Sequence, residues 1–509
     1  MSRGSSHSHG KSTQRLQALM GSLQDDPFQA LPEGNFGRLF PHLPPLMPTD
    51  TELKELARAM VEQKSLEDRR DDGEAKNDNP TISAGYTYLG QFIVHDITFN
   101  PNSRLGREND PNAFKNLRTP RLDLDSVYGL GPIDTPYLYS EDGDSLLIGR
   151  NEGGEDDLPR NSIDGKPHLA LIGDPRNDEN LILSQLHLVL LKFHNRIVKT
   201  LKSKGGASNG LFEDARQMMR WHYQWVVVTD FLKRIVGEGV IHEILKSEEY
   251  KISLSAGTKV AKVVKSDLKF FHWKTQPFLP VEFSVGAFRM GHSMVRGEYT
   301  LNGKAKEVPI FSDDSARNGK QRDLHGFRER PKNMQIEWKR FFELPDTDPE
   351  ELEASRRIDT KLAPGLKNLP ASILGEDKPE IDSLATRNLL RGKALGLPSG
   401  QAIARAMGIP DELILKGKQL GLPSSLEKVF EADTPLWYYI LREAKHHCDG
   451  TMLGPVGGRI VGEVLIGLLA GDPLSYFNVE PGWHPVEGQF GAGRNGEFGM
   501  AELVSFATS

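Results

Sequence analysis

The sequence predicts a mainly α-helical fold with long ordered loops and very little sheet. Apolar residues recur at helical spacing over two long segments, Glu179 to Lys202 and Phe212 to Val236. Strand-like runs are few and short. Stretches rich in Gly, Pro and Asp separate the helical segments, and such stretches form loops that lie over a folded core. These three observations together favour a bundle of helices bridged by loops.

The N-terminal end differs in composition from the rest of the chain. Residues 1–24 are rich in Ser, His, Gly and basic residues and have no apolar core, so we expect a disordered tail that is not a secretory signal. Localisation stays open between the cytoplasm and export by a non-classical route. Phe36 to Pro48 contains four prolines and is expected to wrap over the surface as an extended arm. Residues 25–509 are expected to form one domain.

The elements that follow the arm are predicted in chain order. A helix over Thr51 to Gln63 should have Asp50 as its N-cap. Gly205-Gly206 should end the first long helix. The other predicted helices span Gly85 to Phe99, Ser383 to Arg391, Thr434 to His446 and Gly457 to Leu469, and the predicted ordered loops span Pro101 to Thr119 and Glu141 to His168.

Composition excludes several classes of function. The net charge of -7 argues against nucleic-acid binding, because phosphate contact needs a basic surface. Cys448 is the only cysteine, which excludes an intrachain disulfide and a Cys-rich metal or iron–sulfur site. The longest apolar segment, Arg459 to Ala470, is interrupted by Glu463, so no membrane span is predicted.

Two short motifs indicate chemistry at a buried pocket. Gln91 and His95 lie four residues apart on one face of a predicted helix, so an amide and an imidazole can reach the same pocket. His292 follows Gly291 in the segment Ala287 to Ser293, where a small residue would let a flat macrocycle approach an imidazole. An imidazole in this setting is typical of an axial iron ligand.

These segments resemble the animal-type haem peroxidases, the superfamily that also contains cyclooxygenases and fatty-acid dioxygenases. The family's order of distal Gln and His, calcium loop, distal Arg, proximal His and its Asn partner recurs here, in blocks from about Tyr86 to Pro398. The remainder of the chain resembles the bacterial branch. The resemblance implies the large helical haem peroxidase fold for residues 25–509.

The resemblance assigns three residues to the distal side of the haem, where peroxide binds. His95 would take a proton from the peroxide oxygen and return it to the departing oxygen, and Arg176 would stabilise charge as the O–O bond breaks. Gln91 would hydrogen-bond a water or a small anion. Considered alone, a single imidazole such as His95 on a helix is more often a satisfied core residue, and Gln91 is an ordinary polar helix residue.

On the proximal side, the resemblance makes His292 the iron ligand and Asn388 the amide that orients its imidazole. Arg289 and Arg391 match positions close to the haem carboxylates, whose charge they would offset. The alternative is that both arginines are surface groups.

Oxygen-bearing residues alternate along the segment Thr119 to Gly129, as a hard cation requires. The resemblance implies a calcium ion held by Asp96, Thr119, the Arg121 carbonyl, Asp123 and Asp125. Because Asp96 is bonded directly to His95, calcium would fix the distal base. The alternative is an Asp-rich turn with local backbone hydrogen bonds.

The chain departs from the family at the haem edge. Val94 stands where an Asp usually forms an ester with a haem methyl, while Glu179 keeps the second ester position. Asn180 replaces the Met that forms a sulfonium link in the strongest halide oxidisers. The expected cofactor is therefore haem b with at most one ester link, through Glu179, and chloride oxidation is not expected.

The predicted function is a haem peroxidase that reduces hydrogen peroxide and oxidises small organic donors, or easily oxidised anions such as iodide or thiocyanate, through a ferryl intermediate. A fatty-acid dioxygenase of the same superfamily needs a Tyr three residues before the proximal His, where this chain has Arg289. A third reading is an adhesion-type protein that binds haem and calcium with little turnover. The physiological donor and the oligomeric state are not predicted.

A metal phosphohydrolase is a further alternative, because His95-Asp96 also matches part of that signature. It would need more His and Asp ligands at helical positions. His187 and His194 lie seven residues apart on one helix face, a spacing that is equally compatible with core packing.

Overall fold

The computed structural model is mainly helical, which confirms the predicted fold class. The predicted disordered tail, residues 1–24, and most of the predicted loop Pro101 to Thr119 lie outside the described residues. The structure describes residues 36–61, 77–99, 116, 118–163, 166–205, 210–254, 257–312, 323–369 and 382–509.

The α-helices vary in length from single turns to 23 residues. In chain order they are α1 (Asp50–Ala59), α2 (Ala84–Ile97), α3 (Asp125–Tyr128), α4 (Leu181–Ser203), α5 (Leu211–Val226), α6 (Leu232–Val236), α7 (Glu238–Ile244), α8 (Gly291–Met294), α9 (Leu384–Ala394), α10 (Gly400–Ala406), α11 (Glu427–Phe430), α12 (Leu436–Cys448), α13 (Pro455–Gly471), α14 (Tyr476–Val479) and α15 (Met500–Thr508).

Strands pair two by two and build no larger sheet within the described residues. They are β1 (Phe36–Gly37) with β9 (Leu279–Pro280), β2 (Asp78–Ser83) with β12 (Ala354–Arg356), β3 (Gly149–Arg150) with β4 (Asp156–Asp157), β5 (Arg160–Ile163) with β6 (Lys166–Ala170), β7 (Leu245–Leu254) with β8 (Gly257–Ser266), and β10 (Glu298–Tyr299) with β11 (Val308–Pro309).

The hairpin of β7 and β8, with ten residues in each strand, was not predicted. Lysines interrupt its apolar residues, so the segment resembles a polar connection in sequence. The short hairpin of β3 with β4 lies inside the segment predicted as a loop over Glu141 to His168, and the hairpin of β5 with β6 begins there and ends at Ala170.

Two predicted helix details are wrong. The N-cap of α1 is Thr49 and not Asp50, because Thr49 Oγ1 accepts from Glu52 N at 3.2 Å while the Glu52 carboxylate accepts from Thr49 N at 2.7 Å. The segment predicted as one helix over Phe212 to Val236 contains a π-helical turn, Val227–Phe231, between α5 and α6.

Helix α2 packs against α4, and the ring of its Phe92 contacts Tyr223 of α5. α4 and α5 present the predicted apolar faces, and α13 is buried along almost its whole length. The residues predicted as an arm lie against this core: Arg38 donates to the carbonyl oxygens of Leu395 and Gly396, and the buried Glu282 carboxylate accepts from Leu39 N at 3.0 Å. None of the described helices is long and apolar enough to cross a membrane.

Candidate functional site

Helix α2 is almost completely buried, and the two residues that are partly exposed lie at the candidate site. Of its 14 residues, only Gln91 and Val94 keep partial exposure. An amide and a valine that stay accessible on a central helix indicate an internal cavity beside that helix. His95, in the next turn after Gln91, lies on the same face of α2, as its spacing predicts.

A cavity of about 110 Å³ lies beside Val94. The wall is apolar except for one serine, one threonine and three arginines. The lining residues are Phe36, Val94, Thr98, Arg176, Val281, Ser284, Val285, Arg289, Arg391 and Leu395.

His95 is 6% exposed, and its Nδ1 lies 2.9 Å from Oδ1 of Asn177. Burial, and then the positive charge of Arg176, lowers the pKa of His95 to about 3. The imidazole is therefore uncharged at neutral pH and can accept a proton.

Gln91 and Glu179 meet beside His95. The Gln91 amide donates to the Glu179 carboxylate and accepts at Oε1 from Asn180 Nδ2 at 3.2 Å. Burial raises the pKa of Glu179 to about 7, yet the side chain keeps 33% of its exposure. Both observations agree if protein surrounds Glu179 on most sides and the carboxylate faces an internal space.

Arg176 lines the cavity, and hydrogen bonds to neighbouring residues hold its guanidinium in place. Its Nη2 lies 2.7 Å from Asp174 and 2.9 Å from the carbonyl oxygen of His95, and it also donates to the carbonyl oxygen of Thr98. Nη1 makes no hydrogen bond within the described part of the chain, so this end of the guanidinium remains for a ligand.

Asp174 and Arg118 were missed from the sequence. Asp174 is fully buried, and Arg118 and Arg176 both pair with it. Although burial acts in the opposite direction, the hydrogen bond and charge of Arg176 and the charge of Arg118 hold the pKa of Asp174 below its usual range. The position of Asp174 directly before Pro175-Arg176 could have indicated that it caps a helical turn. The local sequence could not have indicated that Asp174 pairs with Arg118.

His292 and Asn388 come together as predicted. The Asn388 amide lies 2.7 Å from Nδ1 of His292, which joins α9 to α8. Burial, followed by the charge of Arg289, lowers the pKa of His292 to about 3, so the ring is uncharged and can bind a metal through Nε2. Iron binding at Nε2 requires a proton on Nδ1, and the Asn388 side chain can accept a hydrogen bond from that N–H group through Oδ1 when its amide is rotated.

Arg289 and Arg391 line the cavity together with Arg176, and their role towards haem stays a prediction. Burial, and then the charges of Arg391 and Arg176, lowers the pKa of Arg289 to about 10. Arg289 donates to the Ser284 carbonyl oxygen at 3.1 Å and has no carboxylate partner among the described residues. The buried Ser284 hydroxyl also has no partner there. Clustered cations and an unpartnered hydroxyl fit a large, mainly apolar ligand that carries carboxylates, such as haem.

Three carboxylates predicted as calcium ligands lie together. One oxygen from each of Asp96, Asp123 and Asp125 falls within 4.8 Å of the others. Burial, followed by repulsion from Asp123, raises the pKa of Asp96 to about 7, and burial also raises the pKa of Asp125. Asp125 Oδ2 is buried and without a hydrogen-bond partner in the described part of the chain. This arrangement fits a hard cation.

Thr119 and Arg121 belong to the same loop. Thr119 Oγ1 lies 3.0 Å from Asp123 Oδ2, and its carbonyl oxygen accepts from Arg121 N at 2.8 Å. Asp96 also accepts from Ser126 Oγ at 2.8 Å. Local hydrogen bonds typical of an Asp-rich turn are therefore present, but among the described residues they leave Oδ2 of Asp125 without a partner.

The phosphohydrolase alternative finds no support in the described residues. His187 contacts Asn177, and His194 contacts the Tyr128 hydroxyl at 2.9 Å and the Asp144 carbonyl oxygen at 2.8 Å. Within the described ranges, the three aspartates are the only cluster of three or more potential metal ligands.

Comparison with known proteins agrees with this geometry. Residues 101–412 match the family model described as animal haem peroxidase. The chain is 22% identical over 473 residues to heme peroxidase 2 of Caenorhabditis elegans, a match that covers 79% of this chain. The chain spans 61% of the length of that relative.

Two solved structures share the fold at low sequence identity. Peroxidase A from Dictyostelium discoideum superposes with a TM-score of 0.61 at 17% identity, over 94% of each chain. A fatty acid alpha-dioxygenase from Oryza sativa gives a TM-score of 0.56 at 15% identity, over 89% of this chain and 79% of the other.

Proposed function

Because the chain belongs to the animal haem peroxidase family, we propose that it reduces hydrogen peroxide with bound haem b and oxidises small organic donors or easily oxidised anions. The observation that carries the proposal is that residues close in sequence to two uncharged imidazoles, those of His95 and His292, line one cavity. Val94, next to His95, and Arg289, three residues before His292, line the same cavity.

The residues of this chain that would hold haem fall into two groups, those that bind the iron and those that pair with the haem carboxylates. His292 would bind the iron through Nε2, with Asn388 holding its ring. Arg289 and Arg391 would pair with the haem carboxylates, which supply the negative charge that the cavity lacks. When bound, haem supplies the redox chemistry with peroxide that no side chain here can provide.

The distal side chains would transfer the proton of hydrogen peroxide and stabilise the negative charge that develops. His95 is unprotonated, so it can accept the proton of hydrogen peroxide and later give it to the departing oxygen, which leaves as water. Gln91 lies beside it and can hydrogen-bond a water or a small anion. The unoccupied end of the Arg176 guanidinium provides positive charge where negative charge develops.

A calcium ion would be held by Asp96, Asp123 and Asp125, with Thr119 and the Arg121 carbonyl completing the set. The ion would neutralise the repulsion among the three carboxylates and fix the backbone on which His95 lies. Arg118 already connects this loop to the cavity, because it pairs with both Asp125 and Asp174.

The dioxygenase alternative gains no support beyond the fold. The likeness to the rice enzyme is at 15% identity, and Arg289 occupies the position where that chemistry would need a tyrosine. Assay of the haem-loaded protein with hydrogen peroxide and guaiacol tests the proposal. Peroxide-dependent dye formation is expected, whereas bound haem without turnover would favour the adhesion-type alternative.

A further inference from the structure

Asn177 lies between two buried imidazoles. Its Oδ1 is 2.9 Å from Nδ1 of His95, and its Nδ2 is 3.0 Å from Nδ1 of His187. Asn177 and His187 are fully buried. The three side chains come from the helical turn Pro175–Asp178, from α2 and from α4, so three separate elements meet at one amide.

We propose that Asn177 is a positioning residue that keeps the proton of His95 on Nδ1 and thereby leaves Nε2 of His95 free to act as the base. The inference rests on the proposed function, and it deepens that function by naming what orients the base. Asn177 itself touches neither peroxide nor haem in this account.

The tautomer of His95 follows from which end of the Asn177 carboxamide faces it. The oxygen end can only accept, so Oδ1 requires a proton on Nδ1 of His95. A neutral imidazole carries one proton, and Nε2 is then a bare acceptor. Nε2 is the ring atom that lies towards Glu179, at 3.7 Å from Oε1, which is the side of Gln91.

His187 satisfies the other end of the amide. Its Nδ1 accepts from Asn177 Nδ2, and its Nε2 has no partner within the described residues. No second contact therefore fixes the tautomer of His187, which can adapt to whatever Asn177 presents. A buried amide left unsatisfied at one end would cost free energy, and His187 removes that cost.

The turn that carries Asn177 is held firmly. Asp178 binds Arg160 through both oxygens at 2.7 and 2.6 Å, and its carbonyl oxygen accepts from Phe327 N at 2.7 Å. Arg176 is anchored to Asp174 on the other side. An amide on such a rigid turn can hold an imidazole in one orientation, which precise proton transfer requires.

Three variants of the haem-loaded protein test the inference. Asn177→Leu keeps the shape of the side chain but removes the acceptor, so the second-order rate constant for reaction with hydrogen peroxide should fall about ten- to a hundredfold. Asn177→Asp keeps an accepting oxygen towards His95, and His187 can change its tautomer to donate to the other oxygen. Asn177→Asp should therefore stay within about threefold of the parent rate.

His187→Leu is the matched control. It should lower the melting midpoint as Asn177→Leu does, while the rate constant for reaction with hydrogen peroxide changes by less than about threefold.

The rescue by aspartate separates positioning from packing, because a side chain that only filled space would be replaced equally well by leucine. If Asn177→Leu binds no haem, Asn177→Ser takes its place, since its hydroxyl is too short to reach His95. A parent-like rate in the Leu or Ser variant would overturn the inference, and so would an Asp variant as slow as the Leu variant. If His95→Ala also leaves the rate unchanged, the proposed function fails as well; if only His95→Ala slows the reaction, the failure concerns Asn177 alone.

Discussion

The Nε2 atom of His95 lies 3.7 Å from Oε1 of Glu179, although the two groups do not form an ion pair at neutral pH. Burial lowers the pKa of His95 to about 3 and raises the pKa of Glu179 to about 7, so the imidazole is uncharged when the carboxyl group begins to ionise. The proposed base and the proposed ester-forming carboxyl group therefore lie side by side, next to Gln91. Several measurable consequences depend on this arrangement.

Covalent attachment of haem is predicted to be limited to one ester. Glu179 is the carboxyl group available beside Gln91, and Val94 lines the cavity where a second carboxylate would be needed. After peroxide treatment, mass spectrometry should count at most one link in the parent and none in Glu179→Gln. Val94→Asp should permit a second link and move the Soret band to longer wavelength. Two links in the parent, or none gained by Val94→Asp, would show that the haem edge lies elsewhere.

Haem affinity is predicted to depend on Arg289. This guanidinium lines the cavity and has no carboxylate partner among the described residues, so Arg289→Met should weaken haem binding about tenfold or more, equivalent to about 1.4 kcal/mol. Titration of the haem-free protein with haem measures the effect. Arg150→Met is the control, because the Arg150 side chain is 66% exposed and pairs with Asp156 away from the cavity. Equal affinities in the two variants would contradict the assignment.

Calcium removal is predicted to destabilise the protein. The clustered carboxylates of Asp96, Asp123 and Asp125 would repel one another without a cation, and a ligand at a hundred times its Kd stabilises the folded state by about 2.7 kcal/mol. A chelator should lower the melting midpoint and disturb the haem spectrum, and Asp123→Asn should reduce calcium content. Asp142→Asn, at a surface carboxylate paired with Lys202, should do neither. Elemental analysis that finds no calcium in an active preparation would rule the site out.

Stability is predicted to change with pH through Glu443. Its buried carboxylate accepts from Val456 N and Gly457 N at the start of α13, and burial raises its pKa to about 8. The folded protein keeps this proton between about pH 4.5 and 8, whereas the unfolded chain releases it, so stability is lost as the pH rises through this window. Glu443→Gln cannot release a proton.

The free energy of unfolding of Glu443→Gln, relative to the parent, should therefore increase from pH 5 to pH 8. Urea denaturation of both proteins at the two pH values measures this difference. A difference that is the same at both pH values would mean that Glu443 titrates alike in the folded and unfolded states.

The features that could be predicted from the sequence are those that depend on residues close together in the chain. α4 and α5 were predicted because their apolar residues recur with helical spacing. The roles of His95, Arg176 and His292, which short motifs suggest, stay predictions. Glu179 lies beside Gln91 and Asn388 lies beside His292, and their roles towards haem likewise stay predictions. Assignment to the bacterial branch stays a prediction.

The missed features depend on distant partners. Asp174 pairs with Arg118, which lies 56 residues earlier, and Asn177 bonds His95 across 82 residues. Nothing in the local sequence distinguishes these buried polar groups from loop residues. The hairpin of β7 and β8 was missed for a related reason, because its lysines obscure the alternation that marks a strand.

The most direct test of the central claim is the rate at which haem-loaded His95→Ala reacts with hydrogen peroxide, followed by stopped-flow absorption of the haem band. His95 is the uncharged imidazole proposed to move the proton, so the variant should keep its haem and its His292-ligated spectrum but react at least about a hundredfold more slowly than the parent. A variant that retains haem and reacts with peroxide at the parent rate would contradict the account.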